Sequence, residues 1–186
     1  MVYQLKALTF RAYLAQIEKI GALAEVKARV AVDTLRAIDS PPLPTAWIDP
    51  SVFEDMMCAL EAARGLAVVR QVAKDALEGG TLANLLPIVG GLLRLFGTSP
   101  ATLLSRVPEF SKPVSRGVEY QWELESTTSG RLTISFPRRV PRVTYVSFEA
   151  GLGLILDLCR VQGAVSAADI AEDGESGTIR VSWLPK

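Results

Sequence analysis

Residues Val118-Glu-Tyr-Gln-Trp-Glu-Leu-Glu125, Leu132-Thr-Ile-Ser-Phe136, Ser147-Phe-Glu-Ala-Gly-Leu-Gly-Leu-Ile-Leu-Asp-Leu-Cys-Arg-Val-Gln162 and Thr178-Ile-Arg-Val-Ser-Trp183 decide the fold. In the first run Val118, Tyr120, Trp122 and Leu124 alternate with Glu119, Gln121, Glu123 and Glu125. A period of two with one apolar and one polar side reads as a strand of a sheet covered on one face. Ser126 to Gly130 supplies a turn, and Leu132, Ile134 and Phe136 return on the covered side. Ile179, Val181 and Trp183 repeat the pattern after a turn at Asp173–Gly177. Between the two hairpins, 147–162 carries helical spacing, with Gly163 as its expected left-handed stop.

Upstream of Pro113 the apolar spacing is helical. Val2 to Thr9 alternates loosely and predicts a short strand before a helix that carries Tyr13, Ile17 and Ile20 on one side. Gly21 breaks it, and Leu23, Val26, Val30 and Leu35 mark a second helix, stopped by Ser40-Pro-Pro-Leu-Pro44. Asp49-Pro50 reads as an N-cap followed by proline at the first helical position. The helix it starts points Phe53, Met56, Met57 and Leu60 inward and Glu54, Asp55, Glu61 and Arg64 mainly outward. Leu66 to Leu77 follows, closed by Gly79-Gly80, then a stretch from Leu82 to Phe96 that is apolar on nearly every side and is expected to be buried. Gly97-Thr-Ser-Pro100 caps a short helix over Ala101 to Val107. The expected fold class is α+β: N-terminal helices, about 10–113, packed with a C-terminal antiparallel sheet of two hairpins flanking a buried helix, about 114–186. All 186 residues are expected to form one domain, a length that buries roughly 70% of the unfolded surface.

Composition excludes several functions. Hydrophobic residues make up 49% of the chain, too many for a disordered protein. Twenty basic residues balance 20 acidic ones, so no long-range field draws nucleic acid, and none is expected as a partner. There is no histidine. Ser-His and Cys-His nucleophile activation, histidine-ligated haem and mixed histidine metal sites are therefore closed to it. Cys58 and Cys159 cannot alone make a four-thiolate site, and their spacing does not suggest a disulfide. No targeting signal or membrane span is visible, and a cytoplasmic location is expected.

Candidate chemistry is sparse. Glu119, Glu123 and Glu125 share a strand face and read as a solvated surface rather than a carboxylate pair. Arg138, Arg139 and Arg142 form the densest basic cluster and are a candidate partner patch. Gly79-Gly80-Thr81 and Gly97-Thr98-Ser99 lack the lysine and spacing of a phosphate loop, and Gly151-Leu-Gly153 is no dinucleotide fingerprint. No catalytic residue, metal site or cofactor is expected, and hence no enzyme. Gly151 and Gly153 each cost about 1 kcal/mol relative to alanine inside a helix, so something is expected to approach them closely. Phe148, Leu152, Ile155 and Cys159 give the helix one apolar side, and Leu154, Leu156 and Leu158 extend it. The excess predicts a second covered surface: the wall of an apolar pocket, or an interface in a homodimer or with another protein.

The order of helices, hairpin, glycine-bearing helix, hairpin and terminal tryptophan resembles the four-vinyl-reductase-type ligand-binding domains. These share a fold with haem-NO-binding domains and TRAPP-type trafficking subunits. The nearest likeness is to a myxobacterial paralogous family of unknown function. Trp47 before the capped helix, Gly97-Thr-Ser-Pro100, Phe148-Glu-Ala-Gly151, Gly163-Ala164 and Gly174 through Trp183 carry it. The resemblance implies a dimeric sensor or adaptor that binds a hydrophobic small molecule or acyl chain. Two departures limit what is inherited. Many relatives carry cysteines at the final glycine turn, whereas Ile170 to Trp183 has none, and no histidine is present for haem.

Overall fold

The computed structural model describes residues 2–81 and 99–185. The expectation for 82–96, and Gly97 and Thr98 of the capping motif, lie outside them. The chain begins with β1 (Gln4–Lys6) and α1 (Ala7–Lys19), then α2 (Leu23–Lys27), α3 (Val32–Asp39), β2 (Trp47–Ile48), α4 (Pro50–Arg64) and α5 (Leu66–Ala76). A π-helical turn over Leu77–Thr81 widens the end of α5 where a plain stop at Gly79-Gly80 was expected. After residue 98 come α6 (Pro100–Leu104), α7 (Val107–Ser111), β3 (Ser115–Arg116), β4 (Glu119–Ser126) and β5 (Ser129–Ser135). The last elements are α8 (Arg142–Cys159), β6 (Gly163–Val165), β7 (Asp169–Ile170) and β8 (Ser176–Trp183).

The architecture is α+β, as expected. The main sheet is antiparallel with order β4-β5-β8-β6, and β7 also pairs with β8. Trp122 stands opposite Leu132, and Leu132 opposite Ile179, which puts the predicted apolar series in register. Leu124 departs from it. The strand register shifts between Leu124 and Ser126, and Leu124 is 55% exposed. A second sheet of order β2-β1-β3 joins the N-terminus to the start of the hairpin. On it Lys6 Nζ and the Arg116 guanidinium sit 4.1 and 4.0 Å from the centroid of the Trp47 ring. Such cation–π contacts hold the strand that leads into α4. The Asp49 carboxylate accepts from the Ser51 N–H at 2.9 Å, confirming the cap read from Asp49-Pro50.

Two buried clusters share α8. The helical cluster contains Phe10, Tyr13, Ile17, Phe53, Met56, Met57 and Leu60, and takes Val143 and Val146 from α8. The sheet cluster contains Leu132, Ile134, Phe136, Ile179, Val181 and Trp183, and takes Tyr145, Leu152 and Leu156 from the same helix. Tyr3, Leu104 and Val107 from the N-terminal part join the sheet cluster, so packing crosses position 113 in both directions.

Four local expectations are corrected. The first strand is only three residues, because Ala7, Phe10, Tyr13, Leu14 and Ile17 bury one side of a helix that starts at Ala7. The second helix is two, α2 and α3, and the Asp55 carboxylate accepts from the Ala31 N–H at the break between them. The late helix starts at Arg142 rather than Ser147. Val143-Thr-Tyr-Val146 looks like a strand in isolation, but all four side chains are buried and tertiary packing overrides propensity. It ends on Arg160 in the left-handed region (φ 54°), not on Gly163, which enters β6 against the Ser182 carbonyl.

Gly117 marks the tightest turn, with φ +73° and an ideal Cβ only 2.6 Å from the Val2 carbonyl oxygen. Gly21 has a similar φ (+70°) but open space around it. Gly117→Ala should therefore destabilise by about 2 kcal/mol or more, from strain plus backbone collision, and Gly21→Ala by only about 1 kcal/mol. Urea unfolding of the two variants measures the difference; equal losses would show that the Val2 contact is immaterial.

Candidate functional site

A cavity of ≈ 190 Å³ lies where the two clusters face each other under α8. Phe148, Gly151, Leu152, Ile155 and Leu158 of α8 form one wall. Thr9 and Tyr13 of α1 also line it, with Leu5 of β1 and Tyr3 just before that strand. Leu103, Val107 and Phe110 of α6 and α7 and Tyr120 of β4 complete most of the lining. Its aromatic frame is continuous: Phe148 lies 5.8 Å from Tyr120 and 6.2 Å from Phe136, and Phe136 lies 5.3 Å from Tyr3.

Of the residues singled out in the sequence, Phe148, Gly151, Leu152 and Ile155 line this cavity. Gly153 and Cys159 do not. At 100° per residue Gly153 turns to the opposite side of α8, onto a broad open groove of ≈ 860 Å³ that it shares with Arg70, Lys74 and Asp157. Cys159 is buried outside the cavity lining. The close approach expected at the glycines is not there. Among the described residues, a Cβ on Gly153 meets nothing within 4 Å, and one on Gly151 meets only Leu77 Cδ1 at an ordinary 3.6 Å.

The arginine cluster is dispersed. Arg138 reaches back to α4, where its Nη2 donates to Glu54 at 2.8 Å, and its guanidinium lies 5.5 Å from the centre of the Tyr3 ring. Glu54, expected outward, is thus buried at 5% exposure. Desolvation holds its carboxyl above the usual carboxylate range, even against the Arg138 charge. Arg139 packs its stem along Gly174, and Arg142 opens α8 as an exposed residue. The groove charges compensate one another: Arg70 with Glu149 at 3.1 Å, and Lys74 with Asp157 at 3.0 Å. No disulfide joins the cysteines, and burial pushes the Cys58 thiol pKa up.

Sequence reading missed the polar groups of the cavity. Tyr13 is fully buried, and desolvation raises its pKa to about 12, opposed by the neighbouring Ser147 hydroxyl. Burial likewise raises Tyr3 and Tyr120, and the Tyr120 hydroxyl lies 2.8 Å from Ser115 Oγ. Thr144, Ser147 and Gly151 follow at i, i+3 and i+7 and make one small-residue stripe on the cavity side of α8. That stripe is readable once the helix is started at Arg142. Among the described residues there is no group of three or more histidine, cysteine, aspartate or glutamate side chains able to hold a metal, and no helix long and apolar enough to cross a membrane.

The fold is that of the haem-NO-binding, or H-NOX, domains. A solved Fe(II) unliganded H-NOX protein from K. algicida is similar over 98% of both chains, with TM-score 0.72 and 13% identity. An oxygen-binding H-NOX domain related to soluble guanylate cyclases is similar over 97% of this chain and 96% of its own, with TM-score 0.62 and 11% identity. No protein-family model matches the chain, and no curated protein sequence does.

The donor set does not fit haem. An axial ligand must be an imidazole, thiolate, thioether or tyrosinate. The chain has no histidine, and the described lining has no cysteine or methionine. Its three tyrosines are held neutral by burial, which opposes coordination as tyrosinate. Residues 82–98 contain none of these four residue types.

Two outcomes test this description. Tyr13 has a folded pKa above its unfolded value, so its contribution to stability is fully present below pH 10 and is lost as pH rises from 10 towards 12. Tyr13→Phe should remove a slope of at most about 1.4 kcal/mol per pH unit in that window, read from urea unfolding at pH 9 and 11. Gly153→Ala should stabilise by about 1 kcal/mol, because the new methyl meets open space and helix propensity improves; a loss would mean that its side of α8 is covered.

Proposed function

We propose that this protein is a non-enzymatic sensory or regulatory domain that binds an apolar small molecule under α8 and uses no haem. The single observation that carries the reading is the cavity between the two clusters, walled by the apolar side of α8. A preformed apolar hollow with a few convergent polar groups is the usual form of a small-molecule site. The K. algicida neighbour is an Fe(II) H-NOX protein and the other an oxygen-binding H-NOX domain, and their fold supports a sensory role here by analogy. The resemblance to four-vinyl-reductase-type domains points the same way, with an acyl chain as the other occupant it implies. Among the described lining residues there is no acid–base pair, which favours a binding role over a catalytic one.

Native mass spectrometry of the purified protein tests this. The expected spectrum shows a mass above the 20.1 kDa chain that disappears on denaturation. Gly151→Leu should stay folded, since its Cβ is accommodated, and should lose the adduct because the added side chain fills the cavity. A clean chain mass for the wild type, together with no uptake of toluene or decanoate on titration, would sink the proposal.

A second reading, an adaptor that works as a homodimer or against another protein, is favoured by one observation. Gly153 leaves the backbone of α8 uncovered in the groove beside α5. Gly153→Leu should then shift the sedimentation profile towards monomer; an unchanged profile counts against it.

A further inference from the structure

We infer that the cavity selects an uncharged molecule of about one ring's size bearing a single hydroxyl or carbonyl group, held by Thr144 with help from Thr9 and Ser147. This rests on the reading that the cavity takes an apolar small molecule, and it names the chemistry of that molecule.

The first support is a set of orphaned hydroxyls. Thr144 is 2% exposed and lines the cavity, and its Oγ1 has no hydrogen-bond partner among the described residues. Thr9 Oγ1, on α1, is buried and equally without one. Ser147 Oγ, one turn along α8 from Thr144, is buried beside the Tyr13 hydroxyl without a well-aligned bond. A buried hydroxyl left unpaired is costly, and native proteins carry few. Here they come from two different helices and line one cavity, which is how a polar contact for a ligand is built.

The second support is charge. Among the described lining residues there is no lysine or arginine, and the half-exposed Arg138 is already paired with Glu54 behind Tyr3. A carboxylate or phosphate would enter without a counter-charge, which burial penalises heavily. Hydroxyls both donate and accept, so they match a neutral alcohol, phenol, ketone or amide equally well. The third support is size. A cavity of ≈ 190 Å³ is somewhat larger than an engineered one of about 150 Å³ that holds benzene, so it suits a substituted single ring or a short branched chain.

The test titrates the full chain calorimetrically with toluene, benzyl alcohol and benzoate at pH 7, in the wild type and in Thr144→Val. In an apolar hollow without polar contacts the alcohol binds more weakly than toluene, because its hydroxyl leaves water unpaired. The expected result is that benzyl alcohol binds the wild type at least as tightly as toluene, and benzoate binds worst. Thr144→Val should weaken benzyl alcohol by about 3- to 10-fold while leaving toluene unchanged or tighter. Should that variant fold poorly by circular dichroism, Thr9→Val carries the same readout. Toluene binding tighter than the alcohol in the wild type, or benzoate binding tightest, overturns the inference while leaving the cavity reading intact. So does indifference of both variants to the hydroxyl. If none of the three probes binds, the cavity reading itself fails and this one falls with it.

Discussion

The double burial of α8 is the constraint around which the molecule is arranged. Val143 and Val146 complete the helical cluster, while Tyr145, Leu152 and Leu156 complete the sheet cluster. Each such side chain contributes about 1.5–3 kcal/mol on leaving water, so neither cluster closes without this helix. A helix that serves two cores must be apolar most of the way round, which accounts for the excess of leucine that one packed face leaves unexplained. The same geometry creates the cavity. Where Thr144, Ser147 and Gly151 line up, the helix is too slender to reach the opposite wall, and the two cores part.

A second link crosses between the clusters by charge. Glu54 on α4, buried, meets Arg138 on the connection into α8, whose side chain is 40% exposed, with the Tyr3 ring packed against the guanidinium. A half-buried pair of this kind adds little net stability over a well-packed apolar pair, but loss of Arg138 strands the buried Glu54 carboxylate. It therefore pins the approach to α8 in one arrangement. Tyr3, the residue that separates the pair from the cavity, is kept neutral by burial and by the Glu54 charge.

The parts of this architecture that were legible in the sequence are those set by local pattern. Period-two alternation placed β4, β5 and β8, and Asp49-Pro50 placed α4. Four of the six residues picked out on α8 do line the cavity. What the sequence hid is what depends on distant partners. Val143-Thr-Tyr-Val146 favours a strand until two cores claim it. Glu54 belongs on a wet helix face until Arg138, 84 positions away, arrives. Thr9 and Tyr13 have no apparent tie to Thr144 and Ser147 until α1 and α8 are packed. Gly153 differs for another reason: its cost in helix propensity is real, but no described residue packs against it.

The acidic strand β4 has a consequence of its own. Among the described residues it ends the main sheet, with the exposed Leu124 near its tip. An edge of this kind invites another copy to add a strand and start a growing aggregate. Glu119, Glu123 and Glu125 lie along the line where a second β4 would dock in register. Glu123 and Glu125 share the single charge of Arg131 at 2.5 and 3.9 Å, so the row keeps a net negative charge and like-charge repulsion discourages the pairing. The solvated acidic face of β4 thus works against self-polymerisation at this edge.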